Sequence, residues 1–203
     1  MKMKKNVIIP TILFLMFFNI SSLLAVNIGR NVYGLKTETY NGVIYDETVA
    51  TDDGVHMFGT GNDNTDRIEG SLSTSVGAQW WFGIHFDSNQ DMSAYSGGRL
   101  YFSAKVPSTV IISTEIENII KIKDSAGEKS VNFASNSIQE INSYGVVVST
   151  GIKNDNTWRT YYIELSSFTG LNLSLIEYPF MIGNTTNDNT LLIDNVYWKK
   201  NLI

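Results

Sequence analysis

The sequence predicts an all-β fold, an antiparallel β-sandwich of two sheets with jelly-roll connections. Beyond residue 25 the apolar residues recur mostly at every second position, which is the period of a half-buried strand. The apolar runs are short, and they are separated by Gly, Asn, Asp and Ser, which favour turns. No segment carries a long apolar stripe with helical period. Many short strands with turn residues between them are typical of sandwiches and jelly rolls.

The first 25 residues have the pattern of a secretory leader, and residues 26–203 are expected to form one domain. Three lysines within the first five residues precede an apolar run over 7–24, and Ala25 is a small residue at which a peptidase can cut. Leu23 stands where a second small residue is preferred, and the run is barely long enough to span a bilayer. An uncleaved membrane anchor is therefore the alternative. With the leader removed, we expect a secreted, periplasmic or cell-surface protein without membrane insertion.

Composition excludes several kinds of partner and chemistry. The formal net charge of the chain is −5, and it falls to about −8 when the three leader lysines are removed, a balance that argues against nucleic acid and anionic membrane surfaces as partners. Cysteine is absent. Disulfides, thiol catalysis and thiolate metal sites are therefore excluded together.

Alternation of apolar and polar residues gives the expected positions of the strands. They are near 40–47, 67–76, 79–86, 98–106, 109–117, 119–123, 129–133, 144–149, 158–165, 178–183 and 190–199. The turn sequence Asp-Ser-Ala-Gly at 124–127 predicts a hairpin between the strands on either side of it. Short helical turns are expected at 91–96, 136–142 and 166–173.

Each strand is expected to have one apolar face and one face of mixed chemistry. The apolar faces form the predicted core: Ile68, Leu72 and Val76; Trp80, Phe82, Ile84 and Phe86; Leu100, Phe102, Ala104 and Val106; Val110, Ile112 and Ile116. The opposite faces carry more than the Ser, Thr, Lys and Glu of a solvated sheet. They also carry two aromatic rings, Trp81 and Tyr101, with basic and acidic side chains close to them in the pattern.

These mixed faces predict a glycan-binding surface. The C–H faces of a sugar stack on flat aromatic rings, and its hydroxyls bond to charged and amide side chains. The predicted ligand-binding residues are Trp81, His85, Arg99, Tyr101, Lys105 and Glu115. This hypothesis assumes that the strands of Trp81 and Tyr101 are neighbours. In the alternative, both rings lie under a loop or helix as a second core. Trp158 and Trp198 are interpreted as structural plugs at strand edges.

The residues that catalysis would need are scarce. The chain has two His, no G-x-S-x-G elbow, no phosphate loop and no dinucleotide fingerprint. Glu115 and Glu117 form a carboxylate pair on one strand face, and glycosidases use paired carboxylates. A solvated strand face explains that pair better, and the Glu-x-Asp-x-x-Glu motif of jelly-roll glucanases is not supplied by this segment. We therefore expect a protein that is not an enzyme.

Several stretches of the sequence resemble a known family. Gln79-Trp-Trp-Phe-Gly-Ile-His-Phe-Asp87 and Asp91-Met-Ser-Ala-Tyr-Ser-Gly-Gly-Arg-Leu-Tyr-Phe102 are similar to galactose-binding-like β-sandwich modules of bacterial polysaccharide hydrolases. The similarity is greatest to the ExoP-type domain of exo-glucanases and to family 11 carbohydrate-binding modules. Segments 69–71, 158–168 and 192–198 resemble further strands of these modules. Together the matches extend over 67–198.

The resemblance implies a jelly-roll sandwich that binds a polysaccharide or other glycan without catalysis. Such modules often hold a structural Ca²⁺ between acids of the first strand and an Asp of the closing strand, which here implies Asp46, Glu47 and Asp194. Acids gathered there would repel one another unless a cation neutralised them. In the alternative, each acid faces solvent or caps a turn. We expect no attached catalytic domain, which is a departure from the family, and residues 26–39 match nothing in it.

The sequence thus favours an exported, non-catalytic carbohydrate-binding protein that holds a glycan on a sheet face by aromatic stacking and polar side chains. The alternative is a structural or protein-interaction sandwich of the cell envelope that binds no glycan. A polysaccharide-degrading enzyme is the weaker alternative.

Overall fold

The structure is a computed structural model, and it describes residues 32–36, 55–57, 60–63, 65–68, 73–76, 81–84, 86, 89–112, 119–183 and 190–201. For the first three ranges and for residues 74, 81 and 82, the description covers the backbone alone. The chain divides into two units, 1–30 and 31–203, and every described residue belongs to the second. The predicted leader and the predicted strand at 40–47 lie outside the described residues.

Short strands make up most of the described chain. They are β1 (Val32–Lys36), β2 (Val55–Met57), β3 (Thr60–Asp63), β4 (Ser73–Val76), β5 (Trp81–Ile84), β6 (Arg99–Lys105), β7 (Ile119–Asp124), β8 (Gly127–Asn132), β9 (Ile138–Ile141), β10 (Val147–Thr150), β11 (Trp158–Glu164), β12 (Ile176–Gly183) and β13 (Leu191–Lys199). Short 3-10 helices lie at Ser93–Tyr95, Leu165–Ser167 and Leu173–Leu175. None of the helices in this described part is long and apolar enough to cross a membrane.

The strands form two antiparallel sheets. The eight-stranded sheet has the order β10-β9-β11-β6-β13-β4-β3, and β1 pairs with β13 as its eighth strand. The five-stranded sheet has the order β2-β5-β12-β7-β8. The predicted all-β fold, an antiparallel two-sheet sandwich, is confirmed.

The hydrophobic core lies between the sheets and takes alternate residues from each. Phe102 of β6 and Phe180 of β12 meet there, with ring centroids 6.0 Å apart. The four predicted core residues of 98–106 are all buried, and Ile84 in β5 is buried as well. Trp198 is also buried, and its Nε1 donates a hydrogen bond of 3.0 Å to the Pro179 carbonyl oxygen. Its interpretation as a structural residue is confirmed.

The hairpin predicted at 124–127 is present, because β7 and β8 pair in register around that turn. Gly127 has a φ of 120°, a conformation that a residue with a Cβ rarely adopts. Asp124 Oδ1 accepts a 2.7 Å hydrogen bond from the Ala126 N–H and closes the turn. The identity of these turn residues therefore fixes the connection, as the sequence predicts.

Several predicted segments differ from the structure. Residues 136–142 were expected to form a helical turn, but they contain β9. Pairing with β11 decides the conformation here, and it places Ile138 in the core. The predicted strand at 109–117 is wrong for 109–112, which form a turn and an irregular segment closed by the Val110 N–H donating to the Pro107 carbonyl.

The predicted strand at 67–76 is shorter than expected and begins only at Ser73. Val76 lies in the core as predicted, but Ile68 is 42% exposed, so its assignment to the core is wrong. The Ile68 N–H donates a 2.7 Å hydrogen bond to Asp194 Oδ2 in β13. Ile68 is therefore held by a side chain of another strand, a contact that alternation in the sequence does not reveal.

We expect Phe102→Ala to lower the free energy of unfolding by about 3–5 kcal/mol, because it opens a cavity where both sheets meet. Val148→Ala is the control, since this side chain on β10 is 54% exposed and its loss should change the free energy by no more than about 0.5 kcal/mol. Urea unfolding measures both. Similar losses in the two variants would show that the core is not centred on Phe102.

Candidate functional site

A row of three tyrosines crosses the outer face of the eight-stranded sheet. Cross-strand pairing places Tyr162 of β11 and Tyr197 of β13 on either side of Tyr101 of β6. The rings of Tyr101 and Tyr197 are stacked, with centroids 4.8 Å apart and planes 2° from parallel. The Tyr162 ring lies 5.6 Å from the Tyr101 ring and is tilted by 42°. Tyr101 is only 8% exposed, because the neighbouring rings flank it on both sides.

A β-bulge in β13 brings Tyr197 into this row. Between the residues that pair with Ser103 and Tyr101, β13 has one residue more than β6. The extra length includes Asn195, whose φ of 53° lies in the left-handed region that Asn tolerates better than most residues. Because of the bulge, Tyr197 lies on the outer face while Trp198 remains in the core.

A groove of about 600 Å³ lies over the same face. Its floor crosses β9, β11, β6 and β13, and the turn between β9 and β10 forms one side. Four strands at a spacing of about 4.8 Å span about 14 Å. Aromatic, hydroxyl, amide and charged side chains line it: Tyr101, Glu140, Ile141, Asn142, Ser143, Gly145, Thr157, Trp158, Arg159, Thr160, Tyr197 and Lys199. Such a groove can hold an elongated ligand that has both apolar faces and polar groups.

Asp66 fixes the Trp158 side chain beside the groove. Its Oδ1 accepts a 2.6 Å hydrogen bond from the indole Nε1, and its Oδ2 accepts one from the Lys105 ammonium. The loop that carries Asp66 is itself tied to the sheet through the hydrogen bond from Ile68 to Asp194. Because its N–H is already bound, Trp158 can offer a ligand only its ring.

The charges beside the groove are paired. Arg159 hydrogen-bonds both Glu140 and Asp155. The hydrogen bond from Arg159 lowers the pKa of the Asp155 carboxyl, and the same bond raises the pKa of the Arg159 guanidinium. Ser149 donates a hydrogen bond to the other oxygen of Glu140. These contacts hold the edge of the sheet in a fixed, polar arrangement.

Arg99, one of the predicted ligand-binding residues, belongs to the same outer face and is also paired. Its Nε donates a 2.8 Å hydrogen bond to Glu164 Oε1, and its guanidinium carbon lies 4.3 Å from the centroid of the Tyr162 ring. A hydrogen bond with Tyr101 raises the pKa of the Arg99 guanidinium. Arg99 therefore stays cationic and supports the tyrosine row from one end.

The structure brings some of the predicted site residues together and separates another. Three share the outer face of β6: Arg99, Tyr101 and Lys105. Trp81 lies in β5 of the five-stranded sheet, so the strands of Trp81 and Tyr101 are not neighbours, contrary to the assumption made from the sequence. His85 and Glu115 lie outside the described residues, and their roles stay predictions.

Sequence reasoning does not find three residues of this face. Trp158 and Tyr162 alternate in β11 with the buried Tyr161 and Ile163, so the period-two rule carries the signal that would have placed them outside. Trp158 was interpreted as structural only, whereas it also lines the groove. The period-two rule does not place Tyr197 on this face, because the bulge between Asp194 and Tyr197 shifts the alternation along β13.

Asp194 is the part of the predicted calcium site that the structure describes, since Asp46 and Glu47 lie outside the described residues. Its two oxygens accept 2.7 Å hydrogen bonds from the N–H groups of Ile68 and Asn195. The buried Asn195 Oδ1 has no hydrogen-bond partner in the described part of the chain. Among the described residues, no three His, Cys, Asp or Glu are grouped to hold a metal. A buried carboxylate next to a buried amide oxygen nevertheless fits the oxygen ligands of Ca²⁺.

No protein-family model matches this chain, and no curated protein matches it. Among solved structures, it is similar to the family 30 carbohydrate-binding module of a cellulosomal cellulase of Clostridium thermocellum, at 15% identity and a TM-score of 0.46, covering 72% of this chain and 86% of that one. A family 11 module of another cellulosomal cellulase from that organism is 17% identical, with a TM-score of 0.40, covering 75% of this chain and 94% of that one. An exo-β-agarase is 15% identical over 75% of this chain and 24% of its own length, with a TM-score of 0.43.

The resemblance to β-sandwich carbohydrate-binding modules is thus found again among solved structures, including the family 11 modules that the sequence resembles. At these identities the similarity concerns the fold, and the ligand and activity depend on this chain's own residues.

We expect Asp66→Ala to lower the free energy of unfolding by about 1–3 kcal/mol, because the Trp158 N–H and the Lys105 ammonium lose their shared acceptor. Glu128→Ala is the control, since it removes a more exposed ion pair with Lys121 that contributes no more than about 1 kcal/mol. Urea unfolding followed by tryptophan fluorescence gives both values. An effect of Asp66→Ala no larger than that of the control would contradict the role given to this carboxylate.

Proposed function

We propose that the chain is an exported carbohydrate-binding protein that acts without catalysis and holds a glycan in the groove of the eight-stranded sheet. The observation that carries this proposal is the combination of the Trp158 ring and the Tyr101–Tyr197 stack with hydroxyl, amide and charged groups in one groove. A glycan needs apolar rings beneath its C–H faces and hydrogen-bonding groups beside its hydroxyls. Export rests on the leader pattern of residues 1–25.

The shape of the groove favours an extended glycan. It crosses four strands, a span of about 14 Å at the usual strand spacing, which exceeds the width of one sugar ring. The rings of Trp158 and Tyr197 belong to different strands, with β6 between β11 and β13. A ligand that touches both therefore has to run across the strands, as a segment of a polysaccharide chain can.

The carboxylate at the groove supports binding over hydrolysis. Glu140 is the carboxylate among the described residues that line the groove, but it pairs with the buried Tyr161. Its side chain therefore faces the inner side of the sheet, where Arg159 and Ser149 hydrogen-bond it. Glycosidases use two carboxyl groups that flank the scissile bond. A single carboxylate held in an ion pair lacks the partner that this chemistry requires.

A protein-interaction role in the cell envelope is the second candidate, and β10 favours it. This strand is at the edge of the eight-stranded sheet, where Val147 and Val148 are 43% and 54% exposed. Residues 142–152 contain no charged side chain and no proline. Edge strands without such residues can pair with a strand from another chain.

Binding of the mature protein to mixed-linked β-1,3-1,4-glucan, cellulose, xylan and agarose distinguishes the two candidates. Retention on one of these polysaccharides is expected from the groove. Retention on none of them, together with a defined protein partner in crosslinking, would favour the interaction role. Turnover of a retained polysaccharide that is lost in Glu115→Gln would favour an enzyme.

We expect Trp158→Ala to weaken glycan binding by about 1–3 kcal/mol, as for the loss of an aromatic anchor. Trp81→Ala is the matched comparison, because Trp81 was predicted from the sequence to stack on the ligand but lies in the other sheet. Calorimetric titration with an oligosaccharide of the retained polysaccharide measures both, and thermal unfolding checks that each variant folds. Weaker binding in Trp81→Ala alone would move the site to the five-stranded sheet.

Calcium is proposed as a structural ligand between Asp46, Glu47 and Asp194. The buried carboxylate of Asp194 and the buried amide oxygen of Asn195 support this proposal. A cation that binds there only in the folded state would stabilise it by RT ln(1 + [Ca²⁺]/Kd).

Calcium should therefore raise the melting temperature of metal-stripped protein, and Asp194→Ala should abolish the rise. Asp194→Ala also removes the acceptor of two backbone hydrogen bonds, so it lowers the melting temperature without calcium. The informative quantity is therefore the change in melting temperature that calcium causes in each protein. An unchanged melting temperature of the wild-type protein on addition of calcium would rule out the site.

A further inference from the structure

The floor of the groove offers a ligand few free ring faces. Tyr101 and Tyr197 are stacked on each other, and Tyr162 flanks Tyr101 on its other side. A sugar that packs face-on against an aromatic ring needs a ring with a face open to solvent. Trp158 at β11 is half-buried and lines the groove, so a ring that meets the ligand from the side away from the sheet has to come from outside the floor.

Tyr144 is a ring of this kind. It is 90% exposed, the most exposed of the large hydrophobic side chains on the described surface. It lies in the turn between β9 and β10, and its neighbours Asn142, Ser143 and Gly145 line the groove. An aromatic ring left in water contributes little to the stability of the fold, so the fold does not account for it.

The backbone that carries Tyr144 is held by hydrogen bonds. Asn142 Oδ1 accepts from the N–H groups of Tyr144 and Val146, both at 3.0 Å. The Asn142 N–H donates to the Val146 carbonyl at 3.0 Å, and the Gly145 N–H donates to the Asn142 carbonyl at 2.9 Å. Gly145 has a φ of 75°, which glycine adopts without strain.

This turn therefore presents an exposed ring from a backbone that is already ordered. Binding then has to fix the side-chain torsions of Tyr144 and not the turn itself, which reduces the entropy lost when a ligand is bound.

We propose that Tyr144 is a ligand-stacking residue of the groove, which packs against a sugar ring on the side away from the sheet. The proposal rests on the proposed glycan-binding function and adds a contact from the turn to those of the floor. Trp158 and Tyr144 then hold the glycan from two directions, and the polar groups of the turn lie beside its hydroxyls. Tyr144 selects glycans that present a C–H face toward the turn as well as toward the sheet.

Three variants test this assignment with the oligosaccharide that the wild-type protein binds, taken from the panel of mixed-linked β-1,3-1,4-glucan, cellulose, xylan and agarose. Tyr144→Ala should raise Kd by about tenfold or more, as expected for an aromatic hot spot. Tyr144→Phe should stay within about threefold of the wild type, because it keeps the ring. Leu175→Ala is the control, since it removes another exposed apolar side chain at a distant 3-10 helix and should leave Kd unchanged.

The melting temperature should be the same in Tyr144→Ala and in the wild-type protein, because the ring is exposed. The rate of chemical nitration offers a second measurement. Tetranitromethane should nitrate Tyr144 in the free protein and nitrate it more slowly when the bound oligosaccharide covers the ring. Glycan binding with an unchanged Kd for Tyr144→Ala and no protection would overturn the assignment of Tyr144 and leave the groove as the site. Failure of the wild-type protein to bind any glycan of the panel would overturn the proposed function and this inference with it.

Discussion

The pairing of β13 with β6 is the interaction on which the groove depends. β13 pairs with β6 on one side and with β4 and β1 on the other, so it joins the segments at the two ends of the described chain. The bulge at Asn195 changes which side chains face outward halfway along this strand. A regular strand would keep strict alternation, and Tyr197 and Trp198 would exchange faces. The same irregularity thus completes the core with a tryptophan and the outer face with a tyrosine.

The outer face of the eight-stranded sheet is ordered by contacts within itself. Stacked rings occupy its centre, and ion pairs hold the polar side chains at its margins, such as Lys105 with Asp66 and Arg99 with Glu164. Such contacts fix side chains before a ligand arrives, which reduces the entropic cost of binding. They also cover both faces of the Tyr101 ring. The surface left for a ligand therefore includes the Trp158 ring, the polar groups of the lining and the exposed turn.

The turn between β9 and β10 carries residues that are relevant to both candidate functions. Its groove side carries Asn142 and Ser143, and its edge side leads into Val147 and Val148 of β10. A glycan would engage the first set, and a strand from another protein would engage the second. The two sets are separated by only a few residues on one hairpin. Substitutions confined to Tyr144 or to the valines therefore distinguish the functions more clearly than deletion of the hairpin.

The sequence by itself determined the all-β class, the hairpin at 124–127 and the inward side of β6, because local alternation and turn chemistry act between residues close in the chain. It also placed Arg99, Tyr101 and Lys105 on one face. Only the tertiary structure decided which strands are neighbours. Trp81 and Tyr101 are 20 positions apart but lie in different sheets, whereas Tyr101 and Tyr197 stack across a much longer separation. Sheet order is set by the packing of the whole core, and the bulge in β13 is stabilised by partners distant in sequence. No local pattern encodes either of them.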